Sequence, residues 1–174
     1  MANHYDFASR RSQLVNQLGY TLKFPLSPAN LGSLALPVAL QWKQTQFDQR
    51  NANSIIEEPG IYAFAVSDSR SGLPPHGYIL YIGEVGAKKG KNRTLRARFK
   101  EYLHEKVRPK REHIAYFLNA WETCLVFHFA ALDPSTVNLL DVEMRLNDAM
   151  MPPFSRGDFS PEIRPLKRLA EMFS

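Results

Sequence analysis

The spacing of apolar positions changes near residue 59 of the chain. From there, two runs rich in β-forming residues, IYAFAV and YILYIGEV, flank a polar loop and predict an antiparallel hairpin. A third run, ETCLVFHFAAL, predicts another strand. Apolar residues recur at helical spacing in LRARFKEYLHEK and VNLLDVEMRLNDAMM, and a shorter helix is expected over residues 113–121. The order β, β, α, α, β, α predicts an α+β domain with a small three-stranded antiparallel sheet flanked by helices.

Two local signals mark the ends of the predicted helices. Thr94 precedes LRARFKEYLHEK and is suited to cap it, because its side-chain oxygen can accept a hydrogen bond from a backbone N–H of the first turn. The pair Pro152-Pro153 follows the last long helix and ends it, since proline has no N–H to continue the hydrogen-bond ladder. The sequence therefore predicts where these two helices begin or end.

The first 55 residues predict a helical and irregular extension to the main domain, which is expected to span residues 56–174. A helix is expected over residues 5–18, ended by Gly19, and a second helix over residues 38–50. The three prolines between them predict irregular structure. No stretch reaches the roughly 18 apolar residues of a membrane span, and the N-terminus does not have the pattern of a signal peptide. We therefore expect a cytoplasmic protein.

Positive charge is concentrated in one part of the chain. The 174 residues carry a net charge of +5, but residues 84–111 contain eleven Lys or Arg and three Glu, and the rest of the chain has a net charge of −3. Such a segment is typical of proteins that bind the phosphate backbone of a nucleic acid. A solvated helix face has the same pattern. The residues predicted to contact DNA are Lys88, Lys89, Lys91, Arg93, Arg96 and Lys100.

The composition argues against several other kinds of site. Cys124 is the single cysteine and lies in an apolar run, so no disulfide can form within the chain, and we expect a structural thiol rather than a nucleophile. The five histidines lack the spacing of a zinc site. The segment AKKGKNRT fails as a phosphate-binding P-loop, because Val85 and Asn92 stand where that motif needs glycine and Ser or Thr.

Two polar residues within the predicted helices are candidates for chemistry. Glu143 is flanked at helical spacing by leucines, so its carboxylate lies in an apolar stripe and needs a cation, a metal or a hydrogen-bond donor. A catalytic role and a structural ion pair with an arginine are both open. Arg98 lies one turn before Tyr102 on the same side of its helix, and its planar guanidinium is suited to bind a phosphate.

The candidate residues follow one another in a defined order. Gly60-Ile61-Tyr62 begins the first predicted strand and Tyr81-Ile82-Gly83 closes the second. An arginine helix, TLRARFKEYL, and a glutamate helix with a trailing proline, LLDVEMRLNDAMMPPFS, come after them. This arrangement resembles the GIY-YIG endonuclease superfamily over residues 59–155, somewhat more than half of the chain. Each three-letter motif is weak alone, whereas four elements in order are fairly specific.

The resemblance implies a catalytic site of five residues and one divalent ion, Mg²⁺ or Mn²⁺. Glu143 is expected to bind the ion, and Arg98 to bind the scissile phosphate and stabilise the charge of the transition state. Tyr62 is the expected general base. Tyr81 is expected to position or polarise the attacking water, and Tyr102 to contact the phosphate or to hold the network of site residues. Many family members carry asparagine at the position of Ser155. This departure puts full activity in doubt rather than the fold.

The expected function is that of a metal-dependent DNA endonuclease. Restriction or defence, phage or mobile-element and repair roles are all open, as are a protein partner and a homodimer. The alternative is a catalytically weak member of the fold that serves as a DNA-binding or assembly module. Ser155 favours the alternative, and the intact set of tyrosines, arginine and glutamate favours the nuclease. The basic segment does not distinguish DNA from RNA.

Overall fold

The computed structural model describes residues 28–67, 77–87 and 93–172, so the helix predicted over residues 5–18 lies outside the described residues. No helix in these ranges is long and apolar enough to cross a bilayer. The elements in chain order are α1 (Pro28–Gly32), β1 (Lys43–Gln46), a 3₁₀ helix (Gln49–Ser54), β2 (Gly60–Val66), β3 (Tyr78–Val85), α2 (Leu95–Val107), α3 (Glu112–Ala120), β4 (Leu125–Ala131), α4 (Leu139–Met150) and α5 (Ile163–Met172).

The four strands form one antiparallel sheet in the order β1-β4-β2-β3. The predicted hairpin of β2 and β3 is confirmed, and Tyr62 of β2 lies opposite Gly83 of β3. Strand β4 follows on the other side of β2, where Phe129 pairs with Tyr62. The α+β class is therefore confirmed, and the predicted number of three strands is wrong.

The additional strand, β1, comes from the segment where the sequence predicted a helix over residues 38–50. Its residues, KQTQ, are polar and mostly exposed, so no alternation of apolar residues marks them as a strand. Pairing with β4, which puts Lys43 opposite Phe129, gives this segment its extended conformation. The 3₁₀ helix follows directly, and its N-cap, Asp48, accepts a 2.8 Å hydrogen bond from the Arg50 N–H.

Side chains alternate along β2 and supply two cores, one on each face of the sheet. On one face, Tyr62 and Phe64 pack with Phe99 of α2 and Phe117 of α3. On the other face, smaller residues of β2 and β3 pack against α4. Helix α2 begins as predicted, because the Thr94 side chain accepts a hydrogen bond from the Ala97 N–H. Helices thus cover both faces of the sheet.

Both motif glycines lie where the chain leaves no room for a side chain. A methyl group added to Gly60 would overlap the backbone carbonyl of Ala130 on the neighbouring strand. A methyl group added to Gly83 would overlap the phenolic end of Tyr62, which lies across β3 at this position. Close approach, rather than an unusual backbone conformation, therefore requires glycine at these two sites.

Replacing Gly83 with alanine should destabilise the fold by about 3 kcal/mol, because the buried ring of Tyr62 would have to leave its position. The measurement is the free energy of unfolding from urea titration. Gly157→Ala is the matched control, since the added methyl group meets no described atom within 4 Å beyond its chain neighbours. It should change stability by no more than about 0.5 kcal/mol. Equal stabilities for the two variants would contradict the close approach of Tyr62 to Gly83.

Candidate active site

Three predicted site residues form one hydrogen-bonded group between the sheet and α2. The hydroxyl oxygens of Tyr62 and Tyr102 are 2.9 Å apart, and Arg98 Nε donates to the Tyr62 hydroxyl at 3.0 Å. Both tyrosine side chains are fully buried. The guanidinium of Arg98 also lies 4.8 Å from the centre of the Tyr102 ring, within the range of a cation–π contact. The arginine is thus held from two directions.

The carboxylate of Glu101, next to this group, also binds the guanidinium of Arg98. Arg98 Nη1 donates to Glu101 at 2.7 Å, and Arg93 contacts the same carboxylate. Partial burial raises the pKa of Glu101, but the hydrogen bonds from the two arginines outweigh it and lower the pKa below its ordinary value. With Nε and Nη1 engaged, Nη2 of Arg98 makes no hydrogen bond to any residue that the structure describes.

Glu143 projects from α4 to the outer edge of β3. Its Oε1 accepts a 3.0 Å hydrogen bond from the backbone N–H of Glu84, and 7% of the residue is exposed. Among the described residues no Lys, Arg or His forms an ion pair with it. The structural alternative of an ion pair with an arginine is therefore not realised within the described part of the chain.

The surroundings of Glu143 oppose its ionisation. Burial raises its pKa to about 8, and the nearby carboxylates of Asp158 and Glu84 act in the same direction. The N–H of Glu84 and the charge of Arg98 oppose this rise. Arg98 therefore lies within electrostatic range of Glu143 without pairing with it, and the carboxylate is short of positive charge.

Ser155, which stands where many members of the GIY-YIG superfamily have asparagine, makes a defined contact in this structure. Ser155 is fully buried, and its hydroxyl oxygen accepts a hydrogen bond from the Ile82 N–H at 3.3 Å. The next residue before it, Phe154, donates its N–H to the Leu80 carbonyl at 3.0 Å. The segment after α4 is thereby attached to the edge of β3. In this chain Ser155 has a structural contact that holds this segment beside the site.

Burial limits what the tyrosines can do as bases. It raises the pKa of Tyr62 well above its ordinary value of 10, the adjacent Tyr102 and Tyr81 add to the rise, and Arg98 opposes it. Burial likewise raises the pKa of Tyr81. A phenolate at Tyr62 is therefore costly in the free protein, and its observed contact is to hold Arg98. The general-base role of Tyr62 and the water-positioning role of Tyr81 stay predictions.

The predicted DNA-binding residues have different surroundings. Arg96 makes hydrogen bonds to the backbone carbonyls of Ile55 and Asn53 and an ion pair with Glu57, so it attaches α2 to the segment before β2. Arg93 is paired with Glu101 and is half-exposed, whereas Lys100 is exposed. The predicted contacts at Lys88, Lys89 and Lys91 lie outside the described residues.

Sequence reasoning missed three charged residues at this site. Asp158 lies near enough to Glu143 and Tyr81 to affect the pKa of both, although it follows the last residue of the family resemblance. Glu84 directly follows the Tyr81-Ile82-Gly83 motif, and that adjacency was the available signal. The guanidinium of Arg111 lies 5.3 Å from the centre of the Tyr102 ring. No spacing rule connects Arg111 with Tyr102, because a turn between two helices separates them.

Glu143, at the edge of β3, is the predicted site residue that could hold a divalent ion. No group of three or more His, Cys, Asp or Glu side chains is arranged to hold a metal ion in the described ranges. One oxygen of Glu143 is fixed by the Glu84 N–H, and the other has no hydrogen-bond donor within the described part of the chain. A buried carboxylate that has no ion-pair partner among the described residues is suited to bind a hard cation such as Mg²⁺ or Mn²⁺.

No protein-family model, curated protein or solved structure matches the chain. The resemblance to the GIY-YIG superfamily therefore stays a prediction that depends on the motifs themselves.

Replacing Glu143 with glutamine should stabilise the metal-free protein at pH 8 and leave its stability almost unchanged at pH 4.5. The folded protein keeps the Glu143 proton up to about pH 8, whereas the unfolded chain releases it near the ordinary pKa of 4.5. Wild-type stability therefore falls as pH rises through this window. Glutamine does not ionise, so at pH 8 the variant should be roughly 2–4 kcal/mol more stable than wild type.

Urea unfolding in EDTA at pH 4.5 and pH 8 measures this difference. Glu162→Gln, at an exposed carboxylate, is the control and should show little change at either pH. A stabilisation by Glu143→Gln that is equal at both pH values would contradict the raised pKa.

Proposed function

We propose that the protein is a divalent-metal-dependent endonuclease that hydrolyses phosphodiester bonds in DNA. The observation that carries the proposal is the arrangement of Arg98 and Glu143, which lie within electrostatic range and do not pair with each other. Toward the described residues each keeps unused binding capacity for an opposite charge: Nη2 on the arginine and one oxygen on the glutamate. A phosphodiester held beside a divalent cation satisfies both groups at once.

Arg98 is the phosphate-binding group in this proposal. Tyr62, Tyr102 and Glu101 hold its guanidinium in place before the substrate arrives, so little conformational entropy is lost on binding. Only 17% of its side chain is exposed. A partly buried cation interacts with developing negative charge more strongly than one surrounded by water.

Glu143 is the metal-binding group. A bound Mg²⁺ or Mn²⁺ acts as a Lewis acid toward the phosphate and lowers the pKa of its bound water. Glu143 is oriented for this task by the Glu84 N–H, which fixes one carboxylate oxygen at the sheet edge. Asp158, on the segment after α4, adds negative charge to the same region and so favours a cation there.

The choice of DNA as substrate rests on the basic segment and on the resemblance to the GIY-YIG superfamily. Several described cations of this segment are occupied by carboxylates, whereas Lys100, Arg108 and Lys110 are exposed and form no ion pair among the described residues. Lys100 lies in α2, and Arg108 and Lys110 lie in the turn after it. Their positive charge can bind a nucleic-acid backbone outside the site.

The protein should nick supercoiled plasmid in Mn²⁺ or Mg²⁺ and not in EDTA, and Glu143→Gln and Arg98→Ala should each lower the rate at least 100-fold. The loss follows because each variant removes one of the two charges that the scissile phosphate needs. The measurement is conversion of supercoiled to open-circular DNA on a gel. Asp141→Asn and Arg145→Ala, an exposed pair on α4, are the charge-matched controls and should retain activity.

Metal-independent nicking, or full activity of both site variants, would contradict the proposal. Wild-type protein that shifts DNA in a gel without cutting it in any metal would favour the DNA-binding or assembly module. Cleavage of RNA in place of DNA would preserve the chemistry and overturn the substrate.

A further inference from the structure

The turn between α2 and α3 brings a second arginine, Arg111, over the ring of Tyr102. The turn is organised by Glu105, of which 8% is exposed. Its Oε1 accepts hydrogen bonds from the backbone N–H groups of Lys110 at 2.8 Å and of Arg111 at 2.5 Å, and its Oε2 lies 3.4 Å from Arg111 Nη2. Because one buried carboxylate binds both the backbone and the side chain of Arg111, the direction of this arginine is determined by the fold.

Arg98 and Arg111 approach the same aromatic ring. Their guanidinium carbons lie 4.8 Å and 5.3 Å from the centre of the Tyr102 ring. Tyr102 is fully buried, and it also holds the Tyr62 hydroxyl that accepts from Arg98. The two cations are therefore coupled through one rigid residue. Arg111 is the more accessible of the two, with 34% of its side chain exposed against 17% for Arg98.

The charges around Arg111 favour an anionic ligand. Two guanidinium groups close to one ring repel each other, and the carboxylate that faces Arg111 is at the long distance of 3.4 Å and already accepts two backbone N–H groups. Arg156 adds to the positive side, since it acts with Arg111 to lower the pKa of the neighbouring His113, after the larger effect of burial. A phosphate oxygen is the anion that a planar, accessible guanidinium binds best.

We infer that Arg111 binds a backbone phosphate of the nucleic acid next to the phosphate held by Arg98. Arg111 is then a substrate-positioning residue: it makes one charge contact that fixes the strand beside the phosphate held by Arg98. This inference depends on the proposed function, because it names a further contact with the same substrate. A purely structural role, in which Arg111 only packs on Tyr102 and neutralises Glu105, is the alternative outcome of the test.

The test is the salt dependence of DNA binding, which counts phosphate contacts independently of cleavage. Binding of a fluorescein-labelled duplex is measured by anisotropy in EDTA between about 50 and 200 mM KCl. Arg111→Gln should make the slope of log K against log salt less negative by about 0.9, since one counterion fewer is released, and weaken binding about five- to tenfold. Arg145→Gln removes an exposed arginine elsewhere on the surface and should keep the wild-type slope.

Arg111→Lys distinguishes the two roles further and serves if Arg111→Gln does not fold. It keeps the charge and should keep the slope, but it loses the planar fork and should bind about two- to threefold more weakly. A folded Arg111→Gln with the wild-type slope, or Arg111→Lys with undiminished affinity, overturns the assignment while wild-type nicking leaves the proposed function intact. Wild-type protein that neither binds nor cuts nucleic acid overturns both.

Discussion

The buried hydrogen bonds among Tyr62, Tyr102 and Arg98 determine how α2 lies on the sheet. Leaving one buried hydroxyl or guanidinium unpaired costs about 1–3 kcal/mol or more. Tyr62 has to meet both partners, at 2.9 Å and 3.0 Å, and a shift of α2 along β2 would break both contacts. The same ring requires glycine at position 83. One polar group in an aromatic core therefore sets the register of the helix, the sheet and the candidate phosphate site.

The outer edge of β3 supplies the second half of the site. An edge strand presents backbone N–H groups that need acceptors. The Ile82 N–H is bound by the Ser155 hydroxyl and the Glu84 N–H by the Glu143 carboxylate, so the edge is covered by the segment that carries the acidic residues. Holding Glu143 there costs stability, because burial opposes its charge. Charged groups that lower the stability of the protein until a ligand binds them are typical of functional sites.

Carboxylates pair with many of the basic residues that the structure describes in the positively charged segment. Of the cations in residues 84–111, Arg93 and Arg98 are bound by Glu101, and Arg96, Lys106 and Arg111 each have a carboxylate partner. These pairs attach α2 to its neighbours and restrict the direction of each arginine. Among the cations of this segment that the structure describes, those that matter for a polyanion are therefore the ones that lie at the site or are left exposed.

The sequence by itself determined the local elements and the order of the site residues. The β2–β3 hairpin, the Thr94 cap and α4 follow from periodicity and capping, which act between residues close in the chain. The tertiary structure alone decided that KQTQ becomes a strand, that Arg96 is used inside the fold, and that Asp158 and Arg111 lie at the site. These outcomes depend on partners distant in sequence, and a polar residue has no pattern that shows which partner will satisfy it.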